Sequence, residues 1–113
     1  MSQFEELTGD INPMHLDINY AKAHKMKSRV VYGLLTSSFY STLIGVYLPG
    51  KFALLHSIDI HFLKPVYIGD ILKVKGEIVE VNDTFKQIIV KGSILNQDGQ
   101  KVSRAKIKAG VLK

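Results

Sequence analysis

Asp10 and His15 lie five positions apart in Thr8-Gly9-Asp10-Ile11-Asn12-Pro13-Met14-His15, the stretch where this chain concentrates its chemically capable side chains. Gly9 permits unusual backbone angles, and Asn12-Pro13 favours turn initiation while keeping Asn12 out of the helical region. Such a backbone is expected to bring the two side chains together. A carboxylate and an imidazole that converge on one point can hold a water molecule and take its proton. On spacing alone, an Asp and a His in a polar turn are more often capping or turn residues than catalysts, so the elements that position them have to be read first.

Upstream, Ser2 to Leu7 has Phe4 and Leu7 at helical spacing and predicts a short helix stopping at Thr8-Gly9. Downstream, Asp17 is placed to cap a helix from about Ile18 to His24, and capping rather than catalysis is its expected job. Gly33 to Tyr47 is the segment that organises the rest. Leu34, Leu35, Phe39, Tyr40, Leu43, Ile44, Val46 and Tyr47 cover most of a helical circumference, which predicts a buried helix wrapped by a sheet. Ser37, Ser38, Ser41 and Thr42 can return their hydroxyls to carbonyls one turn back. Pro49-Gly50 ends the element.

After Gly50 the period changes to alternation. Ile58, Ile60 and Phe62 oppose Ser57, Asp59 and His61, as in a half-buried strand from about Phe52 to Lys64. Leu72, Val74 and Ile78 begin a second strand, while Val79 and Val81 fall on the other parity and predict a bulge near Gly76 to Val79. Ile88, Val90 and Ile94 mark a third strand. Asp98-Gly99 makes a hairpin turn, and Ala105, Ile107, Ala109 and Val111 form the inner face of a fourth. The fold class is α+β, an antiparallel sheet around one long helix. By parity, His56 and His61 face opposite sides and make a poor metal pair; with no cysteine and no HxH or HExxH, no metal site is expected. His24 reads as a helix-end surface residue.

Composition sets the outer bounds. At 113 residues with 46% hydrophobic and 22% charged residues, the chain is one globular domain. The lack of cysteine excludes disulfides and fits a reducing compartment, with the cytoplasm as default. No basic-then-apolar leader and no uninterrupted apolar run of membrane length are present. The net charge of +5 is dispersed from Lys22 to Lys113, without an Arg-rich tract or a stacking aromatic motif, and argues against nucleic-acid binding.

The run Phe4-x-x-Leu7-Thr8-Gly9-Asp10-x-Asn12-Pro13-x-His15-x-Asp17-x-x-Tyr20-Ala21 resembles the signature of the MaoC-like, R-specific enoyl-CoA hydratases, also called hydratase 2. Val30-Val31-Tyr32-Gly33-Leu34-Leu35 and Phe62-Leu63-Lys64-Pro65-Val66-x-x-Gly69-Asp70 follow at family-like distances, so the resemblance covers essentially the whole chain. It implies the hot-dog fold, in which an antiparallel sheet wraps a long central helix. It also implies a homodimer, usually joined edge to edge, with sites near the subunit interface. The implied reaction is reversible syn addition of water to a trans-2-enoyl thioester, giving the (R)-3-hydroxyacyl thioester without a cofactor. Asp10 would be the general base, His15 would orient the water, and the Gly33 N–H would donate to the thioester oxygen. Asn12 would brace the loop and Ser41 would support the site.

Two departures from the family stand out. Members usually carry a further stretch before the motif, including a first strand, whereas Met1 stands nine positions before Asp10; a single domain over residues 1–113 lacking that strand is expected. Tyr32 occupies the position where the family commonly has His, a change expected to alter the pocket rim more than the chemistry. Three functional classes stay open: a hydratase on acyl-CoA, a dehydratase on acyl carrier protein thioesters, and a non-catalytic thioester-binding module. Arg104, Lys106 and Lys108 share the outer face of the last strand, either as a solvated stripe or as a contact for phosphates or an acidic carrier.

Overall fold

In the computed structural model, which describes residues 1–112, three short helices precede the organising element: α1 (Ser2–Thr8), α2 (Pro13–Leu16) and α3 (Ile18–Ala23). Helix α4 (Gly33–Thr42) then continues into a π-helical turn, Leu43–Tyr47, so the predicted helix is present in two registers. Strands β1 (Ala53–Phe62), β2 (Lys73–Asn82), β3 (Gln87–Leu95) and β4 (Lys101–Val111) form one antiparallel sheet in the order β1-β4-β3-β2.

The alternation seen in the sequence decides what the sheet buries. Ile88, Val90 and Ile94 of β3 and Ala105, Ile107 and Ala109 of β4 point inward and make the core with Tyr40 and Ile44 of α4 and its π turn. The Tyr40 ring lies against Gly92, where an added Cβ would stand 2.8 Å from it, and the Tyr40 hydroxyl shares a 2.7 Å hydrogen bond with Ser103 Oγ. The central helix is thereby pinned to the two middle strands.

The sheet covers only one side of this helix. Leu34 and Tyr47 remain 69% and 70% exposed, and Phe39 and Val46 are exposed too, which corrects the expectation of a helix buried all round. Four strands cannot reach round the circumference, so its apolar remainder has no cover among the described residues. Of the hydroxyls expected to bond back along the helix, Ser38 does so, at 2.6 Å to the Leu35 carbonyl, whereas Ser37 Oγ is buried without a partner.

The predicted bulge in β2 is present: the pairing register shifts between Ile78 and Glu80, which accounts for the changed parity of Val79 and Val81. A second bulge, between Leu55 and Ser57, overturns the parity reading of the histidines. His56 is the extra residue, and its ring packs over Gly110 and bonds Gln87 at 2.9 Å on the outer face, the face that His61 also occupies opposite Arg104. The two remain well separated along the strand. Among the described residues, no group of three or more His, Asp or Glu is gathered as a metal ion would require.

Candidate active site

Each turn of the Asp10–His15 segment is held by a side chain. Asp10 Oδ1 accepts from the Asn12 N–H at 3.1 Å, and Asn12 Oδ1 accepts from the Met14 N–H at 3.0 Å. Asn12 thus caps α2, with Pro13 at the first helical position. This helix was absent from the pattern reading because four residues show no period; the Asn-Pro pair was its signal. Asp17 caps α3 as expected, Oδ1 accepting from Asn19 N at 2.9 Å and Tyr20 N at 3.3 Å.

Helix α2 delivers His15 to the wall of a cavity of about 350 Å³, a volume within the range of small-molecule sites. His15 Nδ1 lies 2.6 Å from the Val30 carbonyl oxygen. A carbonyl can only accept, so Nδ1 carries the hydrogen and Nε2 is left as the nitrogen able to accept a proton. Gly33, first residue of α4, lines the same cavity. A helix leaves its first N–H groups without intrahelical partners and carries positive potential at that end. The Phe62 ring closes on Gly33 so tightly that a Cβ there would lie 2.9 Å from it.

The expected meeting of Asp10 with His15 is indirect. No hydrogen bond or ion pair joins them, and the exposed Asp10 is not part of the cavity wall. Tyr32 connects them: its hydroxyl donates to the Asp10 backbone carbonyl at 2.6 Å, and its ring centroid lies 4.1 Å from that of His15. Phe4 packs on the same tyrosine at 4.8 Å, tying α1 to the site. At 2% exposure Tyr32 is beneath the turn rather than on the pocket rim, which corrects the expectation for this position. Burial first, then the negative charges of Asp10 and Glu5, hold its phenol above the ordinary value and keep the donor protonated.

Ser41 is exposed on α4 and takes no part in the cavity wall, and Asn12 is likewise outside it. Polar groups that pattern reading missed do line it. Thr36 Oγ1 bonds the Gly33 carbonyl at 2.8 Å, and Ser103 comes from the inner face of β4, where its parity with Ala105 and Ile107 could have located it. Met14, Met26, Val31, Phe62 and Val66 supply apolar wall suited to an acyl chain.

The family model described as MaoC like domain matches residues 1–99. A 3-hydroxybutyryl-CoA dehydratase from Methylorubrum extorquens is 41% identical over 78 residues, covering 69% of this chain and 50% of that protein. A mitochondrial 3-hydroxyacyl-[acyl-carrier-protein] dehydratase from Arabidopsis thaliana is 34% identical over 90 residues, 80% of this chain and 53% of its own. The chain therefore spans about half the length of these two relatives. The solved (R)-hydratase from A. caviae involved in PHA biosynthesis superposes with a TM-score of 0.92 at 26% identity, covering 97% of this chain and 83% of that one. The fold is accordingly the hot-dog fold of these hydratases.

Proposed function

Because the chain belongs to the MaoC-like domain family, we propose that it is a hydro-lyase catalysing the reversible, (R)-specific hydration of trans-2-enoyl-CoA to (R)-3-hydroxyacyl-CoA. One observation carries this reading: a histidine with Nε2 free to accept a proton and a glycine at a helix start line one apolar-walled cavity. In the proposed reaction the water oxygen bonds to the β carbon and its proton passes to the α carbon. Asp10 is assigned the general base, a role that requires its carboxylate, exposed and bonded to the Asn12 N–H, to turn toward the cavity, and His15 holds the water through Nε2 and shares in the proton's passage. The Gly33 N–H and the positive end of α4 stabilise the charge gathering on the thioester oxygen. Asn12 braces the turn as the cap of α2.

Residues 1–113 act in this reading as one hot-dog domain, working as a homodimer. The uncovered apolar side of α4, with Leu34 and Tyr47, supports a second copy as its cover. No helix among the described residues is long and apolar enough to cross a membrane, and the lack of cysteine suits a cytoplasmic setting.

Hydration of crotonyl-CoA, followed by loss of enoyl absorbance, tests the activity in the native chain, Asp10→Asn and His15→Ala. Native protein inert on CoA and carrier-protein substrates alike would sink the reading. Oxidation of the product by a dehydrogenase specific for the (S) isomer would contradict the stereochemistry.

A further inference from the structure

The outer face of the sheet carries a charge pattern that hydration chemistry does not use. Successive cross-strand rows read His61-Arg104-Ser93-Lys75 and Asp59-Lys106-Lys91-Glu77. In the second row Lys106 and Lys91 stand directly opposite one another, a like-charge pairing that costs stability. Among the described residues the one imidazole–carboxylate contact on this face is between His61 and Asp59 of the same strand, at 3.4 Å; Arg104 and the lysines form no ion pair. Asp59 and Glu77 flank the row and leave the face net positive. The side chains enclose an open concavity of about 780 Å³.

We propose that this face docks the acidic helical surface of an acyl carrier protein, an inference that rests on the hydro-lyase reading of the inner cavity and adds a carrier-protein thioester to its CoA substrate. Breadth separates a protein from a lone phosphate group. The cations sit on three neighbouring strands spaced about 4.8 Å apart, so the face is about as wide as one helix of 10–12 Å diameter. Placement supplies the second reason. Val102 and Ser103 of β4 line the inner cavity, while Lys101, Arg104 and Lys106 line the outer concavity. Phe62, Leu63 and Lys64 line the inner one directly after His61, at the end of edge strand β1. A carrier bound outside needs its flexible thioester arm to round only that strand end. The steering expected of such a face is strong at low salt and screened at high salt.

The test uses the triple variant Lys91→Gln, Arg104→Gln, Lys106→Gln, all exposed positions, with melting temperature as the control for folding. Expected is a tenfold or larger fall in kcat/KM for crotonyl-acyl carrier protein, carried by KM and growing as salt is lowered, with crotonyl-CoA kinetics unchanged. An equal fall with both substrates would assign the face to CoA phosphates and overturn the proposal, as would no fall with either. Titration of acyl carrier protein against native and variant chains reads binding without turnover. A native chain that is inert but binds the carrier, with binding lost in the variant, would sink the hydro-lyase reading and keep the docking face; no difference in binding would sink the docking face alone.

Discussion

The hydroxyl of Tyr32 donates to the backbone carbonyl of Asp10 at 2.6 Å while its ring rests on His15, so one buried side chain registers both halves of the proposed acid–base pair against the start of α4. Gly33 follows Tyr32 directly in the chain. A shift of this tyrosine would therefore move the Asp10 backbone, the His15 imidazole and the Gly33 N–H relative to one another.

Tyr32→Phe keeps the ring stack and deletes only the donor. A net hydrogen bond is worth about 1 kcal/mol, so a stability loss of about that size is expected. If the bond positions Asp10, kcat on crotonyl-CoA should fall about fivefold with KM little changed, since a bond of about 1 kcal/mol corresponds to about a factor of five. An unchanged kcat in a folded variant would restrict Tyr32 to packing.

Stability should also be sensitive to alkali in a predictable direction. Burial, followed by Asp10 and Glu5, raises the Tyr32 phenol, and burial raises that of Tyr40 against the opposing bond from Ser103. The folded state thus favours the neutral phenols. Their contribution is complete below the unfolded-state value of about 10 and is lost as pH rises through the higher folded values. Urea midpoints measured from neutral pH upward should stay level in this respect and then fall, and Tyr32→Phe should fall less steeply than the native chain.

Gly92 tests how the central helix is seated. A methyl at this position would stand 2.8 Å from the Tyr40 ring, which is itself fully buried and bonded to Ser103. Gly92→Ala should destabilise by about 1–3 kcal/mol through overpacking, seen as a lower urea midpoint with an unchanged slope. Gly33→Ala meets an equally close contact, but from the half-exposed Phe62 ring, which can swing away. That variant should fold nearly as well and show its effect in KM.

Periodicity located the long helix, all four strands and the bulge at Val79, because apolar alternation and its interruption are written in Ile78, Val79 and Val81. It misplaced His56, since a single extra residue in an edge strand leaves too little apolar pattern on either side to betray the shift. The site was legible in residue types but not in connection. His15 and Gly33, named from their motif, line one cavity, whereas Asp10 does not, and its link to His15 through Tyr32 spans 22 residues and depends on how α4 meets the turn. Exposure of Leu34 and Tyr47 was equally hidden: helical spacing gives the apolar circumference but not how much of it four strands can cover.

The unpartnered hydroxyl of Ser37 offers the last test, because its burial on the covered side of α4 brings a cost without a visible return. A buried polar group left unsatisfied costs about 1–3 kcal/mol, and its removal without loss of packing can be neutral or stabilising. Ser37→Ala also replaces a poorer helix former with the best one. A melting temperature equal to or above that of the native chain is expected, with hydration of crotonyl-CoA retained because Ser37 does not line the cavity. A lower melting temperature would mean that the hydroxyl is satisfied in solution, and loss of turnover in the folded variant would mean that the site extends along α4 beyond Thr36.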